Sequence, residues 1–180
     1  GMTLQEKVTL KNKKAARVSA LLMIFAVAAF AFAKAAGAGA FLLQALGLLS
    51  AAVGISMLIR YVLTDYLYSL EDGHFAVRKI NGKKSLLVAD IPLCDITSPP
   101  LTSAQYQKRS SETGKTRVFS FIKNLDSPDE CYLFCNVGGE SYVLRLELTE
   151  AFRSALCEAI ERARIQKERE EIDEDIEDEE

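Results

Sequence analysis

The sequence predicts a transmembrane helical hairpin followed by an α+β, mainly β domain, with about seven antiparallel strands in two sheets and one C-terminal amphipathic helix. Three observations favour this fold class: two long apolar runs near the N-terminus, short strand-like runs separated by turn dipeptides, and a final segment of helical periodicity. The predicted divisions are a basic arm (1–17), the hairpin (18–63), the β-rich domain (64–165) and an acidic disordered tail (166–180). Gly1, ahead of Met2, is interpreted as an expression remnant.

The two apolar runs have the length that a bilayer crossing requires. A helix needs roughly 20 apolar residues to cross about 30 Å of hydrocarbon, and residues 18–36 and 40–59 meet this requirement. The glycines at 37–39 leave room only for a tight reversal, so the helices are expected to be antiparallel neighbours. Small residues would allow close approach of the two backbones. These are Ala26, Ala29 and Ala33 in the first run, and Gly47, Ala51 and Gly54 in the second.

The distribution of positive charge predicts the orientation of this hairpin. Residues 1–17 carry a net charge of +4, Lys34 lies between the spans, and Arg60 closes the second. Because Lys and Arg are enriched in cytoplasmic loops, we expect a multi-pass plasma-membrane protein with both termini in the cytoplasm. The basic arm is expected to lie against anionic headgroups. The alternative is a cleaved signal peptide, although cleavage near residues 33–40 would expose the second apolar run.

Turn signals and periodicity divide the segment after the hairpin. Asp-Gly at 72–73, Asn-Gly at 81–82 and Gly-Gly at 138–139 are dipeptides that hairpin turns favour. Residues 141–148 alternate between apolar and polar, which predicts a strand with one buried and one wetter face. Residues 99–114, with Pro-Pro and two serine-rich patches, are predicted to form a long mobile loop. The apolar spacing from Phe152 to Ala163 predicts a helix that packs on the sheets.

The acidic C-terminus and the cysteines have simple structural interpretations. Residues 166–180 carry a net charge of −8 and are expected to be solvated, with docking to a basic partner as the alternative. Cys131 and Cys135, two positions of one strand-like run, are expected to face the core together with Leu133 and Val137. Metal binding would need further ligands, and His74 is the single histidine. The sequence therefore predicts no cofactor and no metal site.

Seven strands followed by one C-terminal helix is the order of elements in a pleckstrin-homology (PH) fold. Three segments also resemble the bacterial PH-like domain family, which includes YcxB-like membrane proteins. They are residues 66–73 (YLYSLEDG), residues 91–96 (IPLCDI), and residues 142–148 (YVLRLEL) followed by a helix containing Phe152. That family also places a two-helix hairpin before its domain, while the 99–114 loop and the acidic tail depart from its pattern. The resemblance implies a membrane-tethered scaffold or sensor module and supplies no catalytic residues.

The leading functional hypothesis is a non-enzymatic, membrane-anchored module that binds a protein, a peptide or a lipid headgroup. Its candidate binding residues are basic: Arg78, Lys79, Lys83 and Lys84 around the Asn-Gly turn, and Lys108 and Arg109 in the predicted loop, followed by Lys115 and Arg117. One alternative is an assembly protein that oligomerises through its hairpin. Another is a membrane-associated enzyme with a cysteine nucleophile and His74 as its base. No nucleic-acid partner is expected.

Overall fold

Two apolar helices precede a region of sheets and helices in the computed structural model, which describes residues 3–177. The elements in chain order are β1 (Leu4–Lys7), α1 (Lys14–Ala33), α2 (Ala40–Met57), β2 (Thr64–Glu71), β3 (His74–Asn81), β4 (Lys84–Pro92), α3 (Ser103–Thr113), β5 (Arg117–Ser120), β6 (Glu130–Val137), β7 (Glu140–Glu147) and α4 (Glu150–Glu177). A π-helical turn, Leu58–Val62, continues α2 towards β2. The coarse prediction, two apolar helices followed by mixed helix and sheet, is confirmed.

The two apolar helices pack closely through small residues. The buried positions of the pair include Ala26, Ala29 and Ala33 in α1, and Gly47, Ser50 and Gly54 in α2. A Cβ atom at Gly47 would lie only 3.3 Å from the carbonyl oxygen of Ala26, so this glycine permits the approach. The Oγ atoms of Ser19 and Ser50 donate hydrogen bonds of 2.7 Å to the carbonyl oxygens of Gly54 and Leu22. The predicted interface is confirmed, except that Ser50 is buried where Ala51 was expected.

The bulky side chains of this hairpin lie on its outer surface. Leu21, Ile24, Val27, Phe32 and Phe41 are all exposed. Both helical segments, 14–33 and 37–62, are long and apolar enough to cross a membrane by length and composition. An apolar outer face around a small-residue interface is the arrangement expected when hydrocarbon surrounds a helix pair.

Within residues 3–177, seven strands form two sheets. The first has the order β1-β2-β3-β4 and is antiparallel throughout. The second has the order β5-β7-β6, in which β6 and β7 are antiparallel but β5 is parallel to β7. The prediction that every strand pair is antiparallel is therefore wrong for β5, because β7 returns from its hairpin into the space between β5 and β6. The first strand is also unexpected, since it lies in the arm that precedes α1.

The main core lies between the two sheets and beneath the start of α4. Tyr68, Phe75 and Phe152 form an aromatic cluster with ring centroids 6.2 to 6.3 Å apart. The Tyr68 hydroxyl donates to the Phe121 carbonyl oxygen at 2.5 Å and accepts from the Glu147 amide at 3.0 Å, so it joins the sheets. Cys131, Leu133 and Cys135 face this core as predicted, whereas Val137 is exposed beside the β6–β7 turn.

A helix occupies most of the segment that was predicted to be a mobile loop. The Thr102 hydroxyl accepts from the Gln105 amide, and the Gln105 side chain accepts from the Thr102 amide, which is a capping box at the start of α3. Tyr106 stacks on Tyr132 with ring centroids 4.1 Å apart. This contact holds α3 on the outer face of the second sheet, where Val143 is completely buried.

The C-terminal helix continues into the segment that was predicted to be a disordered tail. Helix α4 extends through Glu177, well past the expected boundary at residue 166, and residues 178–180 lie outside the described residues. Arg164 forms ion pairs with Glu161 and Glu168 one turn away on either side. Pairs at this spacing stabilise exposed helices, which is consistent with the solvated helical extension.

A buried polar junction, formed by Lys123, Asn124 and Glu147, lies where the hairpin meets the sheets. The Lys123 side chain is buried, and its ammonium group donates to the carbonyl oxygens of Val62 at 3.1 Å and Thr64 at 3.2 Å and pairs with Asp65. Burial alone would raise the pKa of the Asp65 carboxyl, but the ammonium groups of Lys123 and Lys7 together lower it. The junction thereby holds the segment that leaves α2.

The same junction holds the arm that leads into α1. Asn124 is 1 % exposed; its Oδ1 accepts from the Lys11 amide at 2.7 Å and its Nδ2 donates to the Thr9 carbonyl oxygen at 2.7 Å. Glu147 Oε2 accepts from the Lys123 amide at 2.9 Å. Both ends of the hairpin are consequently fixed to one region of the domain.

Ion pairs add to the attachment of the arm. Lys7 lies 3.4 Å from Asp65, and Lys11 and Lys14 pair with Asp129 and Asp126. These three lysines therefore direct their ammonium groups to domain carboxylates, a role that was not predicted for them.

We predict that Asn124→Ala destabilises the protein by about 1–3 kcal/mol, because the partly buried amide of Lys11 and carbonyl of Thr9 lose their partner. The measurement is equilibrium urea unfolding of the full chain in detergent micelles. Asn136→Ala is the matched control, since Asn136 is exposed in β6, and it should unfold like the wild type. Equal stability of the two variants would contradict the structural role of the junction.

Candidate functional site

The structure separates the predicted binding residues into two surfaces. Arg78, Lys79, Lys83 and Lys84 lie around the turn between β3 and β4, which we call the β3–β4 tip. Lys108 and Arg109 lie on α3, on the outer face of the other sheet. The two groups therefore cannot act as one binding patch.

The β3–β4 tip lies beside the end of the hairpin. Thr64 pairs with Asn81 across β2 and β3, and Asn81 pairs with Lys84 across the turn. The Thr64 hydroxyl oxygen lies 2.7 Å from both the Ile59 carbonyl oxygen and the Asn81 Oδ1. Gly82, with φ of +59°, permits the tight reversal at this point. The β3–β4 turn is thus attached through Thr64 to the π-helical turn.

A second surface is a cationic depression that we call the α3 cleft. It has a volume of about 500 Å³, and its lining includes Arg109, Lys115, Arg117, Glu140 and Tyr142. Lys108 is exposed on α3 but does not line the cleft.

Aromatic rings contact the guanidinium groups of two arginines in the α3 cleft. The Arg109 guanidinium lies 4.3 Å from the centroid of the Phe134 ring, and that of Arg117 lies 5.0 Å from the centroid of Phe119. Cation–π contacts of this kind limit the motion of a long side chain. The guanidinium groups are therefore positioned before any ligand arrives, and guanidinium forks are suited to carboxylates and phosphates.

The strand register separates the α3 cleft from the hairpin. Arg117 pairs with Tyr142 across β5 and β7, and β7 ends at Glu147 in the polar junction. At 3.4 Å per residue, the distance along β7 from Tyr142 to Glu147 is about 17 Å. A ligand in the cleft would therefore lie well away from the end of the hairpin.

The cysteines and the histidine do not come together as a nucleophile and its base. Cys131 and Cys135 are buried, and burial raises the pKa of each thiol to about 11. The His74 Nδ1 lies 3.1 Å from Asp90 Oδ1. Cys94 is exposed beside Asp95. Among residues 3–177, no group of three His, Cys, Asp or Glu side chains is placed to hold a metal ion.

Sequence reasoning missed a groove of about 890 Å³ between β1 and α4. Leu4, Leu70, Phe152 and Ala159 contribute apolar lining to this groove, and Arg162 lies at its edge. The groove was missed because β1, a strand of only four residues in the basic arm, was not predicted. Only its pairing with β2 creates one wall of the groove.

No family model, curated protein or solved structure matches this chain.

We predict that a maleimide modifies Cys94 in the native protein at neutral pH and leaves Cys131 and Cys135 unmodified. With a pKa of about 11, only about one in ten thousand of the buried thiols is ionised at pH 7. Mass spectrometry of the labelled chain gives the modified positions, and denaturation in urea should make all four cysteines reactive. Rapid native modification of Cys131 or Cys135 would instead favour the thiol-enzyme hypothesis.

Proposed function

We propose that the protein is a membrane-anchored, non-enzymatic binding or scaffold module. Helices α1 and α2 span the bacterial plasma membrane, and a PH-like domain holds a ligand surface at the cytoplasmic face. The observation that carries the proposal is the polar junction, because Lys123 and Asn124 attach the domain to both ends of the hairpin. The arm and the domain therefore share one side of the membrane, at a fixed distance from it.

Several features support the PH-like assignment. Two sheets enclose a core, a C-terminal helix closes one end of it, and two apolar helices come before most of the domain. The parallel pairing of β5 with β7 and the presence of α3 depart from the expected pattern. These departures leave the layered arrangement intact, and α3 contributes one wall of the cleft.

The α3 cleft favours an acidic segment of a cytoplasmic protein as the ligand. Arg109, Lys115 and Arg117 converge on a depression in which Glu140 is the single acidic lining residue. Charge-assisted hydrogen bonds from guanidinium groups to carboxylates are among the stronger polar contacts. Since the cleft is about 17 Å along β7 from the junction, its ligand would arrive from the aqueous phase.

The alternative of assembly through the hairpin receives less support from the helix packing. The small residues that would join hairpins of different chains, among them Ala26, Gly47 and Gly54, are already buried between α1 and α2 of the same chain. The outer faces carry bulky side chains suited to lipid.

The orientation is tested by labelling Cys94 with a membrane-impermeant maleimide in sealed bacterial membrane vesicles. Cys94 is the exposed cysteine of the domain, so it should be labelled in inverted vesicles and protected in right-side-out vesicles. Detergent should remove the difference. Labelling of Cys94 in intact right-side-out vesicles would contradict a cytoplasmic domain.

The binding role is tested by crosslinking the tagged full chain in its native membrane and identifying co-purified proteins. Arg109→Glu combined with Lys115→Glu should abolish recovery of a defined partner, because it reverses charge in the α3 cleft. Lys167→Glu combined with Arg169→Glu is the matched control on the exposed part of α4 and should retain the partner. Recovery of the same partner with the cleft variant, or recovery of the chain alone with the wild type, would contradict the proposal.

A further inference from the structure

We propose that the β3–β4 tip is a second membrane-contact site, in which Leu86 and Leu87 enter the boundary between the lipid headgroups and the upper acyl chains while Lys83 and Lys84 bind anionic lipid headgroups. This inference rests on the proposed function, because it requires that α1 and α2 span that bilayer. It adds a lipid-binding surface to a domain whose protein ligand would occupy the separate α3 cleft.

The β3–β4 tip lies level with the end of the hairpin. Strand β2 leads away from the end of the helical segment, so its antiparallel partner β3 runs back towards that end. The pairing of Thr64 with Asn81 places the β3–β4 turn level with the exit from the hairpin. At this exit, the Arg60 guanidinium lies 5.5 Å from the centroid of the Tyr61 ring. Tyrosine and arginine are residues that mark a membrane interface.

The exposure of apolar side chains at the tip is the second argument. Leu86 is 64 % exposed and Leu87 is 44 % exposed, although both are in a strand. They lie opposite Lys79 and Arg78, just after a register shift between Val77 and Arg78. Consecutive strand residues point to opposite faces, so exposure of both leucines shows that the tip extends beyond the core on each side. Leu63, at the hairpin exit, is also exposed, at 57 %.

The charge of the tip is the third argument. The ion pairs of residues 3–177 include none with Arg78, Lys79, Lys83 or Lys84, whereas Lys7, Lys11 and Lys14 of the arm each pair with an aspartate. Unpaired cations next to exposed leucines form the combination that binds a bilayer interface, since apolar burial and attraction to anionic lipid act together. Because the tip is level with the hairpin exit, it would lie at the surface of the bilayer that the hairpin spans in the proposed function.

The absence of tryptophan from the sequence permits a direct test in the full chain. Single variants Leu86→Trp, Val27→Trp and Val137→Trp are reconstituted in vesicles of phosphatidylcholine and phosphatidylglycerol, with and without bromine on the upper acyl chain. Val27 is exposed on α1 and reports on the span, while Val137 is exposed at the β6–β7 turn. We expect strong quenching by bromolipid and a blue-shifted emission for Leu86→Trp and Val27→Trp, and neither effect for Val137→Trp.

The outcomes separate this inference from the proposed function. Quenching of Val27→Trp without quenching of Leu86→Trp would overturn lipid contact at the tip and leave the membrane anchor intact. If Val27→Trp were also unquenched, the membrane-spanning hairpin itself would be wrong. Adding Lys83→Glu and Lys84→Glu to Leu86→Trp should reduce the quenching in anionic vesicles, whereas unchanged quenching would overturn the headgroup-binding role of the two lysines.

Discussion

The attachment of the hairpin to the domain depends on one buried ammonium group and its neighbours. The Lys123 ammonium group lies against the carbonyl oxygens of Val62 and Thr64 and the carboxylate of Asp65, in a place where an unsatisfied charge would be costly. Asn124 and Glu147 satisfy neighbouring backbone groups from the arm and from the β5–β6 connection. Since these partners come from three distant parts of the chain, the junction forms only when all three are in place. It therefore couples folding of the domain to the geometry of the hairpin.

Because the junction fixes the domain to the hairpin, each of the two basic surfaces has a fixed position relative to the hairpin. A domain joined to its helices by a flexible linker could present any face to a membrane, and its charged residues would have interchangeable roles. Here, the tip that contains Lys83 and Lys84 is held at the hairpin exit by Thr64 and Asn81, and the α3 cleft lies farther along the second sheet. In the proposed function, basic side chains therefore contact lipid at the tip and an acidic ligand in the cleft.

Tertiary contacts bury residues on a strand face that was predicted to be exposed to solvent. The alternation in β7 correctly predicts that Leu144 and Leu146 face the core, but Val143 and Glu147 on the opposite face are also buried. Val143 is covered by α3, which packs on the sheet through the stacking of Tyr106 on Tyr132. Glu147 is covered by Lys123 and Asn124, its partners in the polar junction. In each case the covering segment is distant in sequence, so local alternation carries no information about it.

Local periodicity and composition were enough to predict several features of this chain. These are the two apolar helices and their small-residue interface, the hairpin turns at glycine, the inward-facing cysteines of β6 and the start of the amphipathic α4. Contacts between distant segments were needed to place residues 4–7 in the first sheet, to pair β5 parallel to β7, and to divide the basic residues between a tip and a cleft. The physical reason is that these features depend on pairing and burial between segments distant in sequence, such as Leu4 with Leu70 and Arg117 with Tyr142. The free energy of the whole fold selects such pairings, and no local preference encodes them.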